Sequence, residues 1–276
     1  MRRYVGALVF LLMPTAACTL FIDMSELSTR AGSAEAAAPE DASATDADLP
    51  VDSGDGGDAN GADADASAGD AGGTITLFDD FDRDDSPDIG NGWIEKAPTD
   101  SFELKSGSVL FVNASDTDYT EPIVYRPAEE DVLDVEVSVD IQVAGSIGYP
   151  HVVARLQSET GHLPGEFTAY YAYFDDSSPE TFSLTRHNGP DEIYLAGGYM
   201  VTPLIVGEWY RLTLRVRGTN PVLLTATTTQ VTTGAEIGRI EWVDDDPARI
   251  TTAGSVGFGA AYEAGTQCDN FTRRIY

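Results

Sequence analysis

The sequence predicts an all-β fold, two antiparallel sheets packed as a sandwich, carried behind a disordered N-terminal linker. Three observations lead there. From Thr74 onward, apolar and polar residues alternate with a period of two in one segment after another, the pattern of strands with one buried face. Clusters of Gly, Pro, Asn and Asp punctuate those segments, as turns do between strands. No window beyond Thr74 carries the apolar stripe of a helix. Roughly eleven to thirteen strands fit the pattern, more than a small barrel uses and enough for two stacked sheets.

The chain opens on a basic start, Met1-Arg2-Arg3, followed by an apolar run over residues 5–13 (VGALVFLLM). That run is too short to cross a bilayer as a stable helix and reads as the core of an export signal. PTAAC comes next, with Cys18 behind two alanines. These residues resemble the lipobox of bacterial lipoproteins, although Thr15 stands where leucine is usual. The resemblance implies a signal over residues 1–17, lipid attached to Cys18, and a domain held in the bacterial cell envelope at the outer membrane. Ordinary secretory cleavage after Ala17 is the alternative. Cys18 and Cys268 are the two cysteines. With Cys18 acylated, Cys268 has no disulfide partner. A Cys18–Cys268 bridge would have to close a long linker that nothing holds together.

Residues 18–73 form the tether. From 31 to 73 the chain is almost entirely Ala, Asp, Gly, Ser and Glu, with no Phe, Tyr or Trp, so it cannot bury enough apolar area to offset its conformational entropy. Its Asp-Gly run has no flanking helices and no glutamate to close an EF-hand loop. A self-repelling coil that holds the domain away from the membrane is the better reading. The whole chain carries 16 Lys and Arg against 46 Asp and Glu, a net charge of -30. This excludes nucleic acid, which demands clustered basic residues. It also excludes adhesion to anionic lipid, leaving the anchor as the contact with a membrane.

The folded part, residues 74–276, begins with LFDDFDRDDSPDIGNGW at 77–93, six aspartates before an aromatic anchor, Trp93. Asp82, Asp84, Asp85 and Asp88 read as turn and loop residues. Strands are then expected over residues 109–112, 134–143, 151–157, 168–174, 181–187, 209–218, 222–229, 255–262 and 271–276. The clearest is 134–143. Val135, Val137, Val139, Ile141 and Val143 fall on one face, and Asp134, Glu136, Ser138, Asp140 and Gln142 on the other. In 209–218, Tyr210, Leu212, Leu214 and Val216 oppose Arg211, Thr213, Arg215 and Arg217. The acidic and basic faces are complementary. As neighbours in one sheet they would form cross-strand pairs of about 0.2–1 kcal/mol each.

Several motifs occur in a telling order: LFDDFDRDD…GNGW, LKSGSVLFV, HVVARLQ…FTAYYAYFDD…TFSLTRHNG, GEWYRLTLRVRG and AGSVGFGAAYEAGTQCDNF. Over residues 77–276 they resemble a concanavalin A-like jelly roll of the laminin-G and lectin/glucanase superfamily. The resemblance implies a sandwich of roughly 12–14 strands with a convex back and a concave front, which in many relatives binds glycans. It also implies a structural calcium tying the first strand to the last. The matching positions are the Asp79–Asp80 segment, Gly107 and Asp269, a mixture of carbonyl and carboxylate oxygens that calcium accepts. The other reading makes Asp79 and Asp80 edge-strand charges that block sheet-to-sheet association.

Catalysis finds little support. Retaining glucanases of that superfamily carry E-x-D-x-x-E, which sets two carboxylates about 5–5.5 Å apart. The pattern is absent, and Asp134-x-Glu136-x-x-x-Asp140 has the wrong spacing. His151, His162 and His187 lack metal-ligand spacing. There is no G-x-S-x-G elbow, and Cys268 has no base near it in sequence. A binding face remains. In 151–157, Val152, Ala154 and Leu156 are expected to face the core, and His151, Arg155 and Gln157 to face out. In 181–187, Phe182 and Leu184 face in; Ser183, Thr185 and His187 face out. Of AYYAY, either Tyr171 with Tyr173 or Tyr170 with Phe174 must leave the core, and the first pair is chosen. Arg155, Gln157, Tyr171, Tyr173 and His187 are the candidate glycan-binding residues of a monomeric module. Loops at 157–167 and 188–204 are the ones placed to plug that face. A surface module that contacts protein is the rival class.

Overall fold

The computed structural model describes residues 72–276, apart from 97–99, 113–121, 128–131, 146–147, 158–166, 176–177 and 262–263. The export signal, Cys18, the tether to residue 71 and His162 lie outside the described residues. Fifteen strands follow one another among the described residues. The first five are β1 (Thr74–Asp79), β2 (Ile94–Lys96), β3 (Phe102–Lys105), β4 (Ser108–Phe111) and β5 (Ile123–Arg126). The next five are β6 (Val135–Gln142), β7 (His151–Gln157), β8 (Phe167–Phe174), β9 (Thr181–Gly189) and β10 (Asp191–Tyr199). The last are β11 (Trp209–Arg217), β12 (Val222–Gln230), β13 (Glu236–Asp244), β14 (Ser255–Gly259) and β15 (Gln267–Ile275).

They make two antiparallel sheets. One runs β13-β12-β11-β6-β15-β4-β3, with β1 also on β15; the other runs β10-β9-β8-β7-β14-β5-β2. The alternation of β6 and β11 explains why they meet. Val139 lies across from Leu212 and Val137 from Leu214, and all four are buried in the core. On the outer face Arg211 faces Asp140 and Arg215 faces Glu136. Arg211 donates from Nε and Nη2 to the two Asp140 oxygens at 2.7 and 2.9 Å. Arg215 Nε donates to Glu136 at 2.7 Å. One slip of register would lose both the buried valines and the ion pairs.

The first strand closes onto the last. β1 pairs with β15 from Thr74 opposite Ile275 to Asp79 opposite Phe271. Just past β1, Phe81 turns into the core. Trp93 packs edge-on to Phe271 and Phe258, with ring centroids 4.9 and 5.2 Å apart, and lies 5.7 Å from Phe81. Burial of each such ring contributes about 1.5–3 kcal/mol, so the two ends of the domain are held by its largest side chains. At the opposite border the two sheets are joined by their edges. The amide of Val201, just past β10, donates to Ile237 of β13 at 2.8 Å. A Cβ at Gly238 would strike Phe182 and Met200, so the close approach of these edges requires glycine there.

Six strands, β1, β2, β3, β5, β10 and β13, lie outside the nine expected segments, and two of them matter for the site. Residues 188–204, expected as a loop, contain the nine residues of β10. β13, unmarked by alternation, is the edge of the larger sheet. Edge strands bury less of either face, which erases the period-two signal. β14 also ends at Gly259, short of the expected 262.

Candidate functional site

Pairing register fixes which side chains occupy the outer face of the seven-stranded sheet. In β8, Tyr170, Ala172 and Phe174 enter the main core. Phe167, Ala169 and Tyr171 point the other way and join Ile123, Val153 and Leu156 in a second apolar cluster. Tyr171 therefore turns from the main core, but it is only 2% exposed, and His187 only 7%. The two belong to a packed ring stack. Tyr171 lies 4.9 Å from Phe167, 4.8 Å from His187 and 4.7 Å from His151, centroid to centroid. Burial pulls both imidazoles down to about 4, with the proximity of His187 a further small effect on His151. Both are neutral at pH 7. Tyr173 is half-buried and packs 5.7 Å from Tyr149.

Arg155 is a correction to the expected binding face: it is 0% exposed. Its backbone has a left-handed φ of 53°, and the register against β8 breaks between Ala154 and Gln157. This bulge adds a residue and reverses the alternation. Leu156 consequently joins Val153 in the second cluster instead of the main core. The Arg155 guanidinium donates to the carbonyls of Leu133 (2.9 Å), Ile250 (2.6 Å) and Gly218 (2.7 Å), with Asp134 at 3.8 Å. It ties three chain segments together. Gln157 is likewise engaged, through Nε2, by the carbonyls of Arg155 and Ala253. Beside this tie, Tyr170 donates to Asp244 at 2.8 Å and accepts from the Ile250 amide, while Arg186 holds both Asp244 oxygens. The five expected residues thus do not gather as an open front.

Among the described residues of this face, those of β10 are the most exposed. A register shift between Tyr194 and Ala196 sets Glu192, Tyr194, Gly197 and Tyr199 opposite His187, Thr185, Ser183 and Thr181 of β9. Antiparallel partners share a face, so all eight belong to the outer face, where Ser183, Thr185 and His187 are nonetheless covered, while Leu184 and Phe182 lie in the core. Tyr194 is 62% and Tyr199 81% exposed. A Cβ at Gly197 would collide with the Tyr194 hydroxyl. The Tyr194 side chain therefore lies along its own strand over Gly197 and turns one ring face to water. Glu192, with its side chain half exposed, has Oε1 4.0 Å from His187 Nε2, and burial raises its carboxyl. Sequence reasoning missed these residues because Gly197-Gly198 reads as a break. The signal was present in HNGPDEIY, a turn followed by Glu192/Tyr194 alternating with Ile193/Leu195.

At the β1–β15 closure the expected calcium positions meet a mixed fate. Asp79 is buried and its carboxylate is filled. Oδ1 accepts from Arg83 (2.6 Å) and the Phe81 amide (3.0 Å), and Oδ2 from Asn91 (2.9 Å) and Trp93 Nε1 (2.8 Å). Those donors, acting against burial, hold its carboxyl below the usual value. With four acceptor positions used and a guanidinium in contact, the Asp79 side chain does not fit a cation; its role is to lock the aspartate run onto Trp93. Asp269 differs. Burial, then the charges of Asp140, Asp80 and Asp79, push its carboxyl up to about 6, against the Asn270 amide that donates to it. Gly107 takes a φ of 75° beside Asp82. Among the described residues no group of three or more His, Cys, Asp and Glu side chains is placed to hold a metal ion, so a calcium here would need backbone carbonyls.

No protein-family model and no curated protein matches the chain. Solved structures do. A protein of unknown function with a galectin-like fold from Bacillus subtilis is 15% identical, over 74% of this chain and 97% of that one, with a TM-score of 0.50. The carbohydrate-binding module CBM66 from Bacillus subtilis is 14% identical over 66% and 95%, with a TM-score of 0.48. The VIP36 exoplasmic/lumenal domain, in a form bound to Ca2+ and Man3GlcNAc, is 17% identical over 69% and 87%, with a TM-score of 0.48. At these identities the likeness concerns fold: the domain is a concanavalin A-like jelly roll of the galectin-like kind.

Proposed function

We propose that this jelly roll is a non-catalytic carbohydrate-binding module, exported and held in the bacterial cell envelope by lipid on Cys18, with the acidic tether giving it reach. The observation that carries the reading is the Tyr194–Tyr199 platform. Two solvent-facing rings stand on a strand stiffened by pairing, beside the half-buried Thr181 and the half-exposed carboxylate of Glu192. A sugar offers one apolar C–H face and a rim of hydroxyls; a flat ring covers the first, and fixed polar groups bind the second. A glycosidase needs two opposed carboxylates. The outward rows of β9 and β10 supply Glu192 alone, which supports binding without cleavage.

One calcium at the β1–β15 closure belongs to the same reading, held by Asp269 with carbonyls of the Asp79–Asp80 segment and Gly107. The crowding of Asp269 by other carboxylates supports it, since a cation there would relieve that repulsion. A protein-binding surface is the second reading. It is favoured by the exposed Val201, Ile205 and Val206 that follow Tyr199. The test is binding of the full-length chain to a glycan array, with Tyr194→Ala and Tyr199→Ala compared at matched thermal stability. Each variant is expected to lose tenfold or more in affinity. A well-folded protein that retains no glycan on the array refutes the reading in favour of a protein partner.

A further inference from the structure

Taking the carbohydrate-binding reading as its basis, we propose that the β10 platform selects uncharged glycans and that Glu192 sets this choice. Its carboxylate accepts hydroxyl hydrogen bonds from a sugar stacked on Tyr194 and turns away sugars that carry uronate, sulfate or phosphate.

Among the outward residues of β9 and β10 the charge has one sign. Glu192 stands two residues before Tyr194 and on the same face. Its cross-strand neighbour is His187, and burial keeps that imidazole neutral at pH 7, so it offers no counter-charge at 4.0 Å. The remaining outward residues of β9 and β10 are Thr181, Ser183, Thr185, Tyr194, Gly197 and Tyr199, none of them basic. Arg186, the cation of β9, points inward and is spent on Asp244. Among the described residues, Lys96 is the cation of this face: its ammonium lies over Phe167, 5.6 Å from the ring centre, and that ring stacks on His187 at 4.4 Å, whereas Glu192 approaches His187 itself. An anionic sugar on Tyr194 would bring a second negative charge toward Glu192 in a half-desolvated setting, where charges interact more strongly than in water. A neutral sugar meets only an acceptor. An ionised carboxylate accepts through both oxygens and makes charge-assisted hydrogen bonds, about twice as strong as neutral ones. Specificity of this kind comes from a repulsive element beside an attractive one.

The experiment probes the full-length chain with an array carrying neutral oligosaccharides and their uronate- and sulfate-bearing counterparts, followed by calorimetric titration of the best neutral oligosaccharide and its charged counterpart. Wild type is expected to favour the neutral member at least tenfold. Glu192→Gln is expected to weaken the neutral sugar about tenfold and to bring the neutral-to-anionic ratio close to one, with an unchanged melting temperature because the side chain is half exposed. If wild type binds anionic members as tightly as neutral ones, or if Glu192→Gln leaves the ratio where it was while Tyr194→Ala abolishes binding, charge selection by Glu192 is wrong and the carbohydrate reading survives. Absence of any glycan binding by the folded chain overturns both.

Discussion

Replacing Arg155 with methionine separates two views of the same residue. Read as a solvent-facing sugar ligand, Arg155 would be removable at a cost within about 0.5 kcal/mol of stability. Its position in the fold predicts otherwise. The guanidinium satisfies the carbonyls of Leu133, Ile250 and Gly218, and methionine keeps the apolar stem while leaving three acceptors without a donor. Each unpaired buried acceptor costs about 1–3 kcal/mol. Part is recovered, because burial already depresses the Arg155 pKa and removing the charge removes that desolvation cost. The expected loss is about 3–5 kcal/mol. For a domain of this size that is about 10 °C in Tm, at roughly 2–4 °C per kcal/mol. Urea unfolding followed by tryptophan fluorescence measures it as a fall in midpoint at constant m-value. A change below about 1 kcal/mol would show that Arg155 is not the tie described here, and that the bulge around it is not what aims the side chain inward.

Two further perturbations address the titratable groups and the closure. The neutral imidazoles of His151 and His187 have folded pKa values near 4, below the unfolded 6.5, so the unfolded chain binds more protons between these values. Their contribution is complete above pH 6.5 and is lost as pH falls toward 4. In calcium-free buffer Asp269 acts in the opposite sense. Its folded value of about 6 lies above the unfolded 3.8, so its contribution is present below pH 3.8 and lost as pH rises through 6. The two effects oppose each other in wild type, and Asp269→Asn is expected to unmask a Tm that climbs steadily from pH 4 to 6.5; a flat profile in that variant contradicts the burial assigned to the histidines. For the closure, EDTA is expected to lower the Tm of the full-length protein and added calcium to restore it, because a ligand of the folded state alone stabilises it by mass action. An identical Tm in both conditions removes the ion.

Sequence alone determined the two-sheet architecture and its best-patterned pair. The alternation of residues 134–143 and 209–218 already contained both the buried valines and leucines and the Asp140–Arg211 and Glu136–Arg215 pairs, because a strand with one wet face records its orientation in every second residue. The meeting of the first strand with the last was implied by the family resemblance rather than by alternation, and β1 does pair with β15. Tertiary structure decided the site. The bulge at Arg155 is one extra residue that the surrounding strands absorb, and no local composition announces it; it converts an expected surface ligand into a buried tie. Tyr171 and His187 lie on the predicted side of their strands, yet they are buried in a ring stack. Tyr194 and Tyr199 stand in the open on β10, a strand whose own bulge and paired glycines conceal its period. Alternation reports which way a side chain points relative to its neighbours in the chain. Whether water reaches it depends on what the rest of the fold lays over it, and that is set by contacts distant in sequence.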